Sequence, residues 1–242
     1  MIKINKVSKI FNEHYANKDI SFSVAKGQIT GILGPNGSGK TTLFRQITGF
    51  IKSDEGDIVI DQINPWNNQH KIFSNVGYIL GETVFFDNLR PNIYLKNYLS
   101  LRNFTDFDFL NYLIDYFELD LNKNIKNLSK GNKQKVAIIA ALCVKPKILI
   151  LDEPTSGLDP FMQKKFVNML REFSKKYMTT VLISSHTLPE IRELCDNVIL
   201  LKKGEVVSNV NIKGISENKL NDLFNKTYPE LVEIELPKEK DE

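Results

Sequence analysis

A glycine-rich segment at residues 34–42, GPNGSGKTT, has the residue types and spacing needed to bind phosphate. It fits the pattern G-x-x-x-x-G-K-[ST], in which glycines let the backbone curl so that its amides face phosphate oxygens. Lys40 adds a positive charge, and the Thr41 hydroxyl is suited to bind Mg²⁺. An apolar segment precedes the loop and a helical pattern follows it, which favours a phosphate site over an ordinary turn. The residues expected at the phosphates are Gly34, Pro35, Asn36, Gly37, Ser38, Gly39, Lys40, Thr41 and Thr42.

Two adjacent carboxylates, Asp152 and Glu153, follow the apolar residues 148–151. Such a run is typical of a buried strand in a parallel sheet, and open α/β sheets bind ligands at the carboxyl ends of their strands. We expect Asp152 to hold Mg²⁺ through water and Glu153 to act as a base or to polarise an attacking water. The alternative is a strand-ending turn with a capping role. The phosphate loop upstream favours the catalytic interpretation.

A second candidate anion site lies at residues 128–135, LSKGNKQK. Ser129 is a preferred N-cap residue, Gly131 keeps side chains away from the backbone amides, and the apolar run at 136–142 predicts a buried helix. Free amides at a helix N-terminus attract anions. We interpret the lysines as solvated charges on the helix flank and not as phosphate ligands; they are Lys130, Lys133 and Lys135. One ligand cannot occupy both anion sites of a single chain unless the two sites touch.

The composition suits one globular domain with room for a subdomain: the 242 residues are 42% hydrophobic and 25% charged. A net charge of +3 gives no argument for nucleic acid or acidic lipid as a partner. Cys143 and Cys195 have no motif spacing, which indicates reduced thiols in a cytosolic protein. The first residues do not form a signal peptide, and the longest apolar run, 136–144, is far shorter than the roughly 20 residues that span a bilayer.

The pattern of the chain predicts an α/β fold. Residues 2–11 alternate like an edge strand, and residues 19–33 read as two strands around a turn at Lys26 and Gly27. Further strands are expected near 57–63, 75–80, 147–152, 179–185 and 197–207, the last with a hairpin at Gly204. A helical subdomain is placed at about 83–147. Its aromatic stripe at helical spacing, interpreted as core packing, is Phe109, Tyr112, Leu113, Tyr116 and Phe117.

Together these motifs resemble the ATP-binding cassette of ABC transporters, in that family's order. The resemblance covers about residues 2–208, and the 24-residue spacing from Leu128 to Asp152 makes it specific. The matching segments are the Walker A loop at 34–41, the signature segment at 128–135 with Leu128, Ser129, Gly131 and Gln134 retained, Walker B at 148–153, the D-loop at 156–159 with Asp159, and the switch histidine His186.

The resemblance implies a P-loop NTPase cassette with a RecA-like core, an antiparallel β subdomain and an inserted helical subdomain. It places the cassette at residues 1–212, followed by a C-terminal extension at 213–242 with an acidic end. Its cofactors are ATP and Mg²⁺. The family places His186 near the γ-phosphate and the attacking water, and an aromatic residue against adenine, for which Phe11, 29 residues before Lys40, is the better candidate and Tyr15 the weaker.

In this family two cassettes pair head to tail, and each signature segment caps the ATP held by the other cassette. The resemblance therefore implies that the signature residues meet the partner's γ-phosphate; they are Ser129, Lys130, Gly131 and Asn132. Two anion sites in one chain are explained in this way, because a two-fold dimer completes each site.

One departure from the family concerns the glutamine that normally follows a strand such as VGYI, contacts Mg²⁺ and links the ATP site to the helical subdomain. Here the sequence reads VGYILGETVFF, so Gly81 or Glu82 occupies that position. Glu82 offers a carboxylate oxygen that suits Mg²⁺, and Gly81 offers backbone freedom. The alternative is a solvent-facing Glu82 beside a hinge at Gly81.

The function expected from the resemblance is ATP hydrolysis that energises a separate membrane permease, from the cytoplasmic face of the membrane. The signature segment followed by SGLDP looks most like cassettes that export drugs, antibiotic peptides or lantibiotics. A regulatory ATPase of the same family, not coupled to transport, is the alternative. A P-loop kinase or GTPase is a further class, although no guanine-reading N-K-x-D was found. The expected partners are a transmembrane permease and a second cassette, with no nucleic acid.

Overall fold

The computed structural model describes residues 2–81, 85–86 and 88–229, and two β-sheets form its framework. The strands are β1 (Ile2–Phe11), β2 (His14–Val24), β3 (Ile29–Leu33), β4 (Glu55–Ile60), β5 (Val76–Ile79), β6 (Ile148–Asp152), β7 (Thr180–Ser185), β8 (Asn197–Lys202) and β9 (Glu205–Asn211). The α-helices are α1 (Lys40–Ile47), α2 (Gln69–Asn75), α3 (Pro91–Leu101), α4 (Phe107–Tyr116), α5 (Lys130–Cys143), α6 (Pro160–Tyr177), α7 (Leu188–Leu194) and α8 (Glu217–Thr227). Short 3₁₀ helices lie at Ile125–Asn127 and Ile212–Gly214.

The larger sheet has the strand order β5-β6-β7-β3-β8-β9. The first five strands are parallel, and β9 pairs antiparallel with β8. Every residue of β3, β6 and β7 is buried, which explains why these segments read as continuous apolar runs. Because parallel strands end at the same edge of a sheet, this order brings the segments that follow Leu33, Asp152 and Ser185 together. The predicted α/β fold is confirmed.

The smaller sheet is antiparallel, with the order β2-β1-β4. The prediction that residues 2–11 form an edge strand is wrong, because β1 lies in the middle and pairs with both neighbours. Alternation along a strand reports which face is buried, and it carries no information on how many neighbours the strand has. The buried side chains of Ile2, Ile4 and Val7 join a core cluster that includes Ile32 and Leu43.

Helices α3, α4 and α5 follow β5 in the chain and precede β6. The aromatic stripe of α4 packs mainly as predicted: Leu113 and Phe117 are fully buried, and Phe109 and Tyr116 are partly buried against the same core. Tyr112 is exposed, at 52% of its surface, so the stripe is core only on one side of the helix.

The C-terminal helix α8 packs on the main core through Leu220, and the adjacent Tyr228 is fully buried in the same cluster. The predicted division at residue 212 stays a prediction. Most of the acidic end, residues 230–242, lies outside the described residues. None of the helices in the described ranges is long and apolar enough to cross a bilayer.

Candidate nucleotide site

The phosphate loop connects β3 to α1, and two of its glycines have left-handed backbone conformations. Gly37 has φ +78° and Gly39 has φ +101°, values that favour glycine. A Cβ atom at Gly39 would lie 2.3 Å from the carbonyl oxygen of Ala16 in β2. A Cβ at Gly34 would lie 2.4 Å from the carbonyl oxygen of Leu201 in β8. The loop is therefore clamped between two strands, and side chains at these glycines would displace it.

Lys40 is buried, with 4% of its surface exposed, and its ammonium group lies inside the loop. Nζ donates hydrogen bonds to the carbonyl oxygens of Gly34 at 2.8 Å and Pro35 at 3.1 Å. The same atom lies 3.4 Å from Oε1 of Glu153. The lysine thus joins the phosphate loop to the second carboxylate of the pair after β6.

The carboxylate pair is oriented by Ser184, a residue of β7 that lies opposite Asp152 in the sheet. Ser184 Oγ donates to Asp152 Oδ1 at 2.6 Å and accepts a hydrogen bond from the backbone N–H of Glu153 at 2.9 Å. Glu153 has φ +47°, which is uncommon outside glycine. Sequence reasoning missed Ser184, because only the pairing of β6 with β7 reveals its partners.

The residues present fit Mg²⁺ bound together with a phosphate. Within the described ranges, Asp152 Oδ2 and Ser38 Oγ are buried without a hydrogen-bond partner. Mg²⁺ is commonly held by one or two carboxylates plus substrate phosphates and waters, and not by an all-protein cage. The described residues contain no cluster of three or more His, Cys, Asp or Glu side chains that could hold a metal. Asp152 and the Thr41 hydroxyl are the groups available at the wall of one cleft.

That cleft has a volume of about 630 Å³. Residues from three motifs line it: Asn36 and Thr41 of the loop, Asp152 and Glu153 after β6, and Leu128, Lys130, Lys133 and Gln134 of the signature segment. Lys130 is exposed and Lys133 is half-buried. The interpretation of these two lysines as flank charges therefore stays a prediction, since both face the cleft.

His186 follows β7 directly and lies beside the second carboxylate of the pair. Its predicted place near the γ-phosphate stays a prediction. Its Nδ1 lies 3.6 Å from Glu153 Oε2, and 57% of its side chain is exposed. Both residues line a second cavity of about 560 Å³ beside the first turn of α6 and the segment before α7. Glu153 consequently stands between the Lys40 ammonium and the His186 imidazole.

The signature segment forms the start of α5, and the prediction that Ser129 caps this helix is confirmed. Ser129 Oγ accepts from the backbone N–H of Asn132 at 3.3 Å and from its side-chain amide at 3.2 Å. Gln134 donates to the carbonyl oxygen of Pro154 at 2.6 Å, which ties the helix to the turn after the carboxylate pair. A Cβ at Gly131 would lie 2.8 Å from the carbonyl oxygen of Gly157, so the two segments are in close contact.

Asp159 of the D-loop is the N-cap residue of α6. Its Oδ1 accepts a hydrogen bond from the backbone N–H of Met162 at 2.9 Å. Glu190, at the start of α7, was not found from the sequence. Its carboxylate accepts hydrogen bonds from Thr155 Oγ1 at 2.9 Å and from Ser185 Oγ at 2.6 Å. Glu190 thereby connects the turn after β6 to the end of β7.

The structure does not favour either of the two residues expected to stack on adenine, Phe11 and Tyr15. Phe11 and Tyr15 lie on either side of the β1–β2 turn, and each is 47% exposed. Lys9 Nζ lies 5.2 Å from the Phe11 ring centre, and Lys18 Nζ lies 5.9 Å from that of Tyr15. Neither ring is distinguished by its burial.

The coupling position between the ATP site and the helical subdomain has two candidates, Gly81 and Glu82. Gly81 has φ +56°, and a Cβ built there would lie 3.9 Å from the Thr41 methyl group. The backbone freedom and the position next to the phosphate loop agree with the predicted junction. Glu82 lies outside the described residues, so its predicted roles in metal binding and coupling stay predictions.

Comparison with known proteins agrees with this geometry. The sequence model of the family described as ABC transporter matches residues 17–156. YdbJ, an uncharacterized ABC transporter ATP-binding protein of Bacillus subtilis (strain 168), is 34% identical over 219 residues, which cover 90% of this chain and 71% of YdbJ. The dimeric structure of MJ0796, a bacterial ABC transporter cassette, superposes with a TM-score of 0.81 at 26% identity, covering 89% of this chain and 100% of the other. A dimeric post-hydrolysis structure of that cassette, bound to ADP and Pi, gives a TM-score of 0.80 at 25% identity with the same coverage.

The family match extends from β2 to the turn after β6, and so includes the phosphate loop, the signature segment and the carboxylate pair. The predicted cassette fold is confirmed by the solved cassettes, and the cofactors of this enzyme class are ATP and Mg²⁺. The chain belongs to the ABC transporter family, of which it is an ATP-binding subunit with ATPase activity.

Proposed function

We propose that the chain hydrolyses MgATP at the edge of its larger sheet and that a second cassette completes each site. One observation supports this above all: Glu153 lies 3.4 Å from Lys40 Nζ and 3.6 Å from His186 Nδ1. A carboxylate placed between a phosphate-binding lysine and an imidazole is suited to accept a proton from an attacking water.

Each residue has a distinct part in this proposal. The backbone amides of residues 34–42 and the Lys40 ammonium bind the β- and γ-phosphates. To do so, Lys40 Nζ replaces its hydrogen bonds to the carbonyl oxygens of Gly34 and Pro35 with contacts to phosphate oxygens. Glu153 orients and deprotonates water, and His186 contacts the γ-phosphate.

Thr41 and the free Oδ2 of Asp152 hold Mg²⁺, with Glu82 as a further ligand in place of the family's glutamine. Bound Mg²⁺ neutralises charge on the phosphate oxygens. Phe11 stacks on adenine.

The dimer is proposed from the exposed start of α5. Ser129 and Lys130 are exposed, and the amides of Lys130 and Gly131 have no intrahelical acceptor, so they are available to an anion from outside the chain. The third amide, that of Asn132, is capped by Ser129 Oγ. MJ0796, which has the same fold, forms a dimer. In the proposed arrangement residues 129–132 of one chain meet the γ-phosphate held by the other, and Asp159 lies at the contact between them.

We further propose that the dimer drives a membrane permease from the cytoplasmic face of the membrane, and that the transport is export of a drug or peptide. This finer proposal is supported by the signature segment followed by SGLDP. A regulatory ATPase without a permease is the second candidate. Purification from membranes decides between them, because a transport subunit copurifies with its permease and stimulated ATPase activity depends on that partner.

The catalytic assignment is tested with Glu153→Gln. The variant should bind ATP and hydrolyse it at least about 100-fold more slowly, because the amide cannot accept the proton. ATP-bound dimers should then persist in gel filtration. Lys40→Ala is the matched comparison, since it should weaken nucleotide binding itself. Turnover of Glu153→Gln at the wild-type rate would show that another group is the base.

The shared site is tested by mixing Lys40→Ala chains with Ser129→Arg chains. Each change damages a different site, so mixed dimers keep one intact site and homodimers of either variant keep none. We expect the mixture to exceed the sum of the separate activities once mixed dimers are demonstrated by differential tags. Activity no higher than that sum would exclude completion of the site by a second chain.

A further inference from the structure

A buried tyrosine that directly follows α8 lies beneath the phosphate loop. The Tyr228 side chain is 0% exposed, and its hydroxyl lies 2.9 Å from the carbonyl oxygen of Leu33 and 3.0 Å from that of Leu201. Leu33 is the last residue of β3 and immediately precedes Gly34. We propose that Tyr228 is a positioning residue for the phosphate loop, through which the docked C-terminal helix raises the affinity for nucleotide.

The hydroxyl acts at the point where the chain leaves the sheet. The ladder between β3 and β8 ends at Leu33 opposite Leu200. Beyond this pair, strand pairing no longer connects β3 and β8. The hydroxyl bridges the carbonyls at this point. Gly34 packs against the same Leu201 carbonyl, since a Cβ there would lie 2.4 Å from it. The first residue of the phosphate loop and the tyrosine hydroxyl therefore share one backbone group, and its position affects both.

Several contacts fix the tyrosine in place. Its ring lies 5.0 Å from that of Phe224, and Lys202 Nζ donates to the carbonyl oxygen of Thr227 at 2.7 Å. At the other end of α8, Glu217 pairs with Arg192 of α7, and Leu220 is buried between these ends. The helix is docked along its length, so a displacement of α8 is transmitted to the hydroxyl and from there to the base of the loop.

Tyr228 and α8 lie outside residues 17–156, which the family model matches. The proposed role of Tyr228 rests on the assignment of residues 34–42 as the phosphate-binding loop. If that assignment holds, two carbonyls that lose their common donor no longer fix the loop in its binding conformation, and part of the binding free energy is spent on ordering it.

The test uses Tyr228→Phe, which removes the hydroxyl and keeps the ring. Tyr116→Phe is the matched control, because Tyr116 also donates its hydroxyl to a backbone carbonyl, that of Lys165 at 3.0 Å, at a distance from the loop. For Tyr228→Phe we expect the Kd of a non-hydrolysable ATP analogue with Mg²⁺ to rise about 3- to 10-fold. The KM for ATP should rise by a similar factor, with kcat within about 2-fold of the wild type. Tyr116→Phe should leave Kd and KM unchanged, whatever its effect on melting temperature.

Equal Kd values for the two variants would overturn the inference, since a purely structural role lowers stability alone. Wild-type chain supplies a second test that needs no variant. Binding free energies are reciprocal, so the analogue with Mg²⁺ should slow hydrogen exchange in α8 more than in α4. Equal effects on both helices would also overturn it. Failure of the wild type to bind the analogue at all would instead refute the proposed phosphate site, and this inference with it.

Discussion

Replacing Ser184 by alanine is expected to lower the stability of the protein and its activation by Mg²⁺. The side chain is fully buried, and its hydroxyl makes two hydrogen bonds, to the Asp152 carboxylate at 2.6 Å and from the Glu153 amide at 2.9 Å. A hydrogen bond to a charged group is worth about 1.5–3 kcal/mol and a neutral one about 1 kcal/mol, so the loss amounts to about 2–4 kcal/mol. In a chain of this size that corresponds to a melting temperature lower by roughly 5–15 °C.

The same substitution frees the carboxylate that is proposed to hold Mg²⁺. With Oδ1 fixed by Ser184, Oδ2 faces its site in one orientation; without the hydroxyl the carboxylate rotates. Loss of such an orienting group commonly costs about 10- to 100-fold in metal affinity. We therefore expect the Mg²⁺ concentration for half-maximal ATPase activity to rise at least about 10-fold.

Ser174→Ala is the control, because Ser174 is also buried and its hydroxyl donates to a neutral carbonyl, that of Thr179, at 2.8 Å. It should lower the melting temperature by only about 2–4 °C and leave the Mg²⁺ dependence unchanged. Thermal unfolding and an ATPase titration with Mg²⁺ measure both effects. Equal destabilisation by the two variants, with identical Mg²⁺ titrations, would refute the reasoning.

Three further outcomes follow from the described geometry. Gly39→Ala should weaken ATP binding by more than about 10-fold, because its Cβ meets the Ala16 carbonyl at 2.3 Å and its φ is +101°; wild-type affinity in a titration would contradict this. Asp159→Ala removes the acceptor for the Met162 amide, so the free energy of unfolding in urea should fall by about 1 kcal/mol, and no change would exclude the capping role. Burial raises the pKa of the Cys143 thiol to about 12, above its ordinary value of 9.0. Stability from this group is complete below pH 9.0 and falls as the pH rises towards 12, because the unfolded chain releases the proton first. Iodoacetamide at pH 8 should modify this thiol only after denaturation, and rapid modification of the folded chain would count against this burial.

The sequence by itself determined the features that depend on local chemistry. The phosphate loop was predictable because its glycines, lysine and threonine are contiguous and have flanking strand and helix patterns. The cap of α5 by Ser129 and the burial of β6 followed from residue type and from the apolar run. The residues of the loop and of the cap are neighbours in the chain, and the apolar run of β6 indicates burial by its composition alone, so the local sequence contains this information.

Only the tertiary structure decided which distant groups meet. Ser184 is 32 residues from Asp152, and Tyr228 is 195 residues from Leu33; neither pairing has a local pattern. Both depend on strand order and on where α8 docks, and the same is true of β1, whose alternation predicted an exposed edge although it pairs on both sides. Periodicity records which face of an element is buried, whereas sheet order results from the packing of all elements into one core.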